Sequence, residues 1–237
     1  MLHTATLQAI VPATSRSALL RVTTEAPLPF LAGQAVALGE QGQALRRPYS
    51  IAVGPGTAAR TGQLEFLIGI GPNGTPGPHL SSLQPGLRLD IEGPFGAFTF
   101  PQALAESHVL FVAGGSGIAP LRAMLHEALE IRPGLRMSLL YSARTPEDFA
   151  FAGELAELHR TQRVRVLRTA TRGAGPAWDG ARGRISRAEL EALVDSPETL
   201  CFVCGPEALV HEVPRMLRDV GVVPSRIRVE EWTARWQ

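Results

Sequence analysis

The run Val109-Leu110-Phe111-Val112-Ala113-Gly114-Gly115-Ser116-Gly117-Ile118-Ala119-Pro120 sets the architecture of the second half of this 237-residue chain. An apolar run of this kind predicts a strand buried on both faces, and the glycines turn it into a helix expected over Ile118–Ile131. Glycines at such a turn remove the side chains that would keep backbone N–H groups away from a pyrophosphate, and the positive end of the helix dipole points to the same place. Gly114, Gly115, Ser116, Gly117, Ile118 and Pro120 are therefore candidates for holding a dinucleotide. A glycine turn used only for tight packing is the competing expectation.

Downstream, apolar runs alternate with amphipathic stretches: Met137–Tyr141, a helix near Gly153–Arg160, Val164–Leu167, Leu200–Cys204, a helix over Glu207–Val220, and Ile227–Glu230. This alternation predicts a parallel sheet in an α/β, Rossmann-like domain. Cys204-Gly205-Pro206 ends one strand and opens a helix, so a ligand at the carboxyl ends of the strands would meet it as well as the Gly114 turn. The first hundred residues differ. Short strands over Thr4–Val11, Ala18–Thr23, Gln34–Leu38, Tyr49–Val53, Gln63–Ile70 and Leu87–Glu92, separated by Gly and Pro, predict a small antiparallel β-barrel. The expected division is 1–102 for the barrel and 103–237 for the α/β domain. Gly71-Pro72-Asn73-Gly74-Thr75-Pro76-Gly77-Pro78 is expected to be a ligand-sized loop, with at most a short helix after it.

Composition narrows the chemistry. The chain contains no Lys, so all 23 basic residues are Arg, which excludes Schiff-base and phosphate-loop lysines. A net charge of +1 gives no reason to expect nucleic acid as a partner. No apolar stretch is long enough for a membrane span, and the N-terminus lacks a leader pattern, so a cytoplasmic protein is expected. Cys201 and Cys204 are the only cysteines. They lie in one apparent strand with side chains on opposite or skewed faces and cannot supply the ligand set of a zinc or iron–sulfur site, so no metal is expected. The six histidines, His79 and His108 among them, lack metal-ligand spacing and receive no role.

Arg47-Pro48-Tyr49-Ser50 joins a fixed cation, a stiff proline, an aromatic face and a hydroxyl at a strand start. Each suits part of a flavin nucleotide: Arg for the pyrophosphate, Tyr for the ring system, Ser for the redox edge. This segment, with Glu92-Gly93-Pro94-Phe95-Gly96, Gly114 to Pro120, Tyr141-Ser142-Ala143-Arg144, Cys204-Gly205-Pro206 and Val229-Glu230-Glu231-Trp232, resembles the ferredoxin–NADP reductase family over nearly the whole chain.

The resemblance implies a flavin-binding barrel before a nicotinamide-binding domain. Arg47, Tyr49 and Ser50 would then contact the flavin, Gly114 to Pro120 would hold the NAD(P) pyrophosphate, and Cys204 would lie beside the nicotinamide with Glu230 as a nearby carboxylate. Ser50, Cys204 and Glu230 are the expected catalytic residues. The chain departs from the family where Gly77 replaces a Ser or Thr on the flavin phosphate; a backbone N–H, or the Thr75 hydroxyl, would have to serve. FAD is expected, ahead of FMN. Arg144 and Arg172 are available for the 2′-phosphate of NADPH, and Thr171-Arg172 tips the expectation toward NADPH over NADH.

Arg160, Arg163, Arg165, Arg168 and Arg172 form a basic stretch that would attract an acidic ferredoxin. The alternation Arg163-Val164-Arg165-Val166 more simply predicts a solvated strand face. With no cluster domain in this chain, electrons are expected to leave to a separate redox protein, a ferredoxin or an oxygenase component. Trp232 and Trp236 are expected either near the flavin or against the sheet. Two other readings remain open here: a flavin electron-transfer subunit of a larger dehydrogenase complex, and a non-catalytic nucleotide-binding module.

Overall fold

The structure, a computed structural model, describes residues 1–71 and 74–230. The strands of the first half are β1 (Leu2–Thr14), β2 (Ser17–Thr24), β3 (Ala35–Glu40), β4 (Arg47–Ser50), β5 (Gln63–Gly69) and β6 (Arg88–Phe95), with helix α1 (Pro55–Thr61) before β5. They form a six-stranded sheet in the order β4-β3-β6-β1-β2-β5, and every pairing is antiparallel. A bridge between Ile51 and Phe66 joins the two edges and closes the sheet on itself. Alternating residues explain the closure: Leu7, Leu20, Val22, Val36, Leu38, Phe66, Ile68, Leu89 and Ile91 point inward as one apolar cluster.

The second half contains β7 (His108–Gly114), α2 (Ile118–Ile131), β8 (Arg136–Ala143), α3 (Ala152–Arg160), β9 (Arg165–Ala170), β10 (Ala181–Arg182), α4 (Arg187–Leu193), β11 (Leu200–Cys204), α5 (Glu207–Asp219) and β12 (Ile227–Glu230). The sheet order is β10-β9-β8-β7-β11-β12, and all pairings are parallel. Every residue of β7 and β11 is buried, as expected for central strands covered on both faces. Helix α5 is amphipathic: Val210, Val213 and Leu217 recur at helical spacing and are buried.

By contacts, the described residues divide into one compact unit of Met1–Phe100 with Ala119–Ile131 and another of Pro101–Ile118 with residues 132–230. The assignment of α2 to the first unit has a charged cause. Arg122 donates from Nη1 to the Ala52 carbonyl (2.6 Å) and to Glu65 Oε2 (2.7 Å), while Arg21 pairs with the other Glu65 oxygen at 2.9 Å. Arg122 and Glu65 are both buried, so breaking their pair would weaken the charge compensation in a poorly solvated place.

Two helices were not expected from the sequence, although both carry end signals. Helix α1 has Gly54-Pro55 at its start and Gly62 in the left-handed region (φ 69°) at its end. Helix α4 opens with a capping box between Ser186 and Glu189. After Gly77 the chain makes a turn at Pro78-His79 rather than a helix. Among the described residues, no helix is long and apolar enough to cross a membrane.

Candidate functional site

In the first unit the Arg47-Pro48-Tyr49-Ser50 segment is strand β4, whose register on β3 pairs Leu38 with Arg47, Val36 with Tyr49 and Ala35 with Ser50. The strand alternation puts Arg47 and Tyr49 on one face and Pro48 and Ser50 on the other. Ser50 is buried, while Arg47, Pro48 and Tyr49 are half-buried. The Tyr49 ring packs on the barrel core, and its hydroxyl is 2.9 Å from His79 Nε2.

His79 is the residue that sequence reasoning missed, because a single histidine in a loop has no pattern. It is 2% exposed. Burial, reinforced by the Arg47 charge, lowers its pKa to about 4, so the imidazole is neutral near pH 7. Burial also raises the Tyr49 phenol to about 12, against a smaller opposing effect of Arg47. The ring nitrogen His79 Nδ1 is buried and has no hydrogen-bond partner.

Gly77 lies against the same groups. A Cβ added there would stand 3.1 Å from His79 Nδ1 and 3.2 Å from Arg47 Nη1. A side-chain-free backbone position, a guanidinium and an unpartnered ring nitrogen thus converge, and with the imidazole proton on that nitrogen the set suits a phosphate group. Thr75 is placed elsewhere in the loop: its hydroxyl is beside Gly71, and its carbonyl accepts from the Gly71 N–H at 2.8 Å.

In the second unit the chain runs outward from β7 through β8 and β9, then returns to β11 on the other side of β7. The carboxyl ends of β7 and β11 therefore form the switch point at which open parallel sheets bind ligands. The two turns touch through backbone. A Cβ on Gly117 would collide with the Cys204 carbonyl, and one on Gly205 would stand 3.0 Å from the Gly114 Cα. One on Gly114 would meet Leu209 and Pro206 at 2.7 and 2.8 Å.

Tight packing and nucleotide binding are thus not rivals here, because the glycines that pack the turns also leave their backbone bare. Gly115 is the open position: its φ is +52°, and an added Cβ would touch nothing. Tyr141 fixes that turn by donating to the Gly115 carbonyl at 3.0 Å. Ser116 is exposed, whereas Ile118 and Pro120 are buried. The Ile118 N–H already donates to the Gly115 and Ser116 carbonyls, and Pro120 has no N–H to offer.

Cys204 is fully buried, and β12 brings Glu230 beside it by register. The Cys204 thiol donates to Glu230 Oε2 at 3.3 Å. Cys201, on the opposite face by strand alternation, is an apolar core residue whose pKa burial pushes up to about 12. Arg144 and Arg172 are exposed and adjacent, because the Arg172 N–H donates to the Arg144 carbonyl at 2.6 Å.

The basic stretch is largely occupied. Arg160 pairs with Glu157, Arg165 donates to the Ala192 carbonyl, and Arg168 pairs with Asp179 while lying 4.8 Å over the Trp178 ring. Arg163 and Arg165 are exposed on either side of buried Val164, but only Arg165 lies in β9, so the expected strand face does not extend back to Arg163. Glu231, Trp232 and Trp236 lie outside the described residues.

Two family models match the chain. Residues 6–100 match the oxidoreductase FAD-binding domain, and residues 111–215 match the oxidoreductase NAD-binding domain. The chain is 34% identical over 214 residues to ferredoxin–NADP reductase B of Sorangium cellulosum, covering 86% of this chain and 85% of that one. It is 31% identical to the glycine betaine monooxygenase reductase subunit of Chromohalobacter salexigens, over 86% of this chain and 56% of that subunit. A solved cytochrome P450 reductase, GcoB of Amycolatopsis, superposes with a TM-score of 0.85 at 26% identity, covering 98% of this chain and 69% of that one. With both domain models matched in order, and a relative of similar length aligned almost throughout, the chain belongs to the ferredoxin reductase-like family of FAD- and NAD-binding oxidoreductases and is an NAD(P)H-dependent flavoprotein oxidoreductase.

Proposed function

We propose that this protein is a ferredoxin–NAD(P)H reductase-type enzyme in which residues 1–102 hold FAD, residues 103–237 hold the nicotinamide nucleotide, and a separate redox protein takes the electrons. The observation that carries the FAD assignment is the convergence of Arg47, Gly77 and His79 beside Tyr49. FAD, when bound, supplies the ring system that accepts a hydride and gives up electrons singly.

The protein's own residues bind and orient. Arg47 pairs with a phosphate of the flavin, Tyr49 offers its ring face, and Ser50 offers its hydroxyl or N–H near the redox edge. The backbone of the Gly114–Gly117 turn receives the pyrophosphate of NAD(P)H. Cys204 borders the nicotinamide, and Glu230 orients it through the thiol hydrogen bond. Arg144 and Arg172, held side by side, give a charge-assisted site for a 2′-phosphate, so NADPH is the preferred donor. The acceptor is a ferredoxin or an oxygenase component, by analogy with what the two relatives are named for.

Anaerobic mixing of the FAD-loaded protein with NADH and with NADPH, in separate runs, tests this. Flavin absorbance should bleach with both and faster with NADPH. A protein that takes up no FAD would refute the function, and faster bleaching with NADH would reverse the donor preference.

A further inference from the structure

His79 sits where two groups need something from it. Tyr49, the aromatic offered to the flavin, ends in a hydroxyl whose partner is His79 Nε2 at 2.9 Å. On the other side of the imidazole, Nδ1 is buried without a partner and faces Gly77, close to the Arg47 guanidinium. A neutral imidazole carries one proton, and a hydrogen bond at one nitrogen sets the state of the other. If the Tyr49 O–H donates to Nε2, the proton stays on Nδ1, and an unpaired donor then faces the same small gap as the Arg47 donors. Two donors aimed at one place disfavour each other unless an anion accepts from both, and a buried donor left unpaired is destabilising.

We propose that His79 is a flavin-phosphate ligand of this chain: it donates from Nδ1 to a phosphate oxygen shared with Arg47, and holds the Tyr49 hydroxyl with Nε2. This rests on the FAD assignment above. Gly77 brings no side-chain donor to the phosphate, and the imidazole provides one from two residues further along. Nδ1 is covered in this structure, so the phosphate reaches it as the Gly74–Pro78 segment, which belongs to no helix or strand, gives way. One residue thereby couples the phosphate end of the flavin to the aromatic beneath its ring.

The two nitrogens can be separated by substitution. Gln places its terminal amide near the Nε2 position and Asn near the Nδ1 position, so His79→Gln keeps a partner for Tyr49 and loses the phosphate donor, whereas His79→Asn does the reverse. Flavin-free protein is titrated with FAD and with riboflavin, which lacks phosphate, and binding is read from flavin fluorescence. His79→Gln should lose about tenfold or more in FAD affinity while keeping that for riboflavin. His79→Asn should keep the wild-type ratio of FAD to riboflavin affinity.

Equal losses of both flavins in His79→Gln would overturn the phosphate contact and leave a packing role. Nitrogen-15 spectra of histidine-labelled wild-type protein test the same point without substitution: the FAD complex should show a protonated Nδ1, and an unprotonated Nδ1 would overturn the proposal. Wild-type protein that binds neither flavin would instead refute the FAD assignment itself.

Discussion

The glycine turn after β7 and the 74–80 segment of the barrel are both glycine-containing loops, but their glycines answer different demands. At the end of β7, Gly114 and Gly117 let one turn lie directly on the backbone and side chains of the next, at Cys204, Gly205, Pro206 and Leu209. In the barrel, Gly77 instead leaves room between two side chains, Arg47 and His79. A fixed backbone contact cannot yield to an added methyl group, whereas the end of an arginine can. The first loop is therefore a rigid frame, and the second is an adaptable one whose chemistry comes from residues elsewhere.

Gly117→Ala should test this most severely. Its Cβ would collide with the Cys204 carbonyl, and the strain should cost about 3 kcal/mol or more, read as a large fall in Tm and loss of NAD(P)H binding. Gly77→Ala should cost no more than about 1 kcal/mol of stability, read as a small fall in Tm, its main effect falling on FAD affinity instead. Similar Tm losses in the two variants would break the distinction.

A smaller effect is expected at Cys204, the side chain beside the rigid frame. Cys204→Ala removes the thiol that donates to Glu230 and should slow flavin reduction in stopped flow by about tenfold through misorientation. An unchanged rate would remove Cys204 from the chemistry.

The smallest effect concerns pH. His79 is neutral in the fold, with a pKa near 4 set first by burial and then by Arg47, whereas in the unfolded chain it titrates near about 6.5. Between these values the unfolded state binds the extra proton, so stability is fully present above the upper value and is lost as pH falls toward the lower one. The loss is at most about 1.4 kcal/mol per pH unit. Tm measured from pH 7 to pH 4.5 should therefore fall less steeply in His79→Gln than in the wild type. Parallel slopes would show that His79 is accessible to protons in the fold.

His108 makes an instructive contrast with His79. Both are buried, but His108 Nδ1 meets Thr199 at 3.2 Å and its Nε2 meets Ser138 at 3.0 Å, so its polar atoms are satisfied within the sheet domain. His79 has one partner and one orphaned nitrogen. The two are indistinguishable in the sequence, since neither lies in a pattern.

Much of the fold was legible because its signals are local. Buried parallel strands read as apolar runs, and the helix Ile118–Ile131 was expected with the bounds it has. Helices α1 and α4 were missed although Gly54-Pro55, Gly62 and the Ser186–Glu189 box mark their ends. Each is short, and an end signal without a long apolar period is easily taken for a turn. The contact of α2 with the barrel was not legible, because Arg122 is distant in sequence from Glu65 and Ala52.

By itself, the sequence determined the class of the protein: an antiparallel barrel before a parallel sheet, with Arg47, Tyr49, the Gly114–Gly117 turn and Cys204 as the residues of interest. Periodicity, glycine placement and strand-end motifs are properties of neighbours along the chain. Only the tertiary structure decided that Cys204 has Glu230 beside it, that Arg144 and Arg172 are neighbours, and that His79 stands between Tyr49 and Gly77. Those facts depend on strand register and on a loop folding back against β4. They follow from how the chain closes on itself and leave no trace in the local pattern.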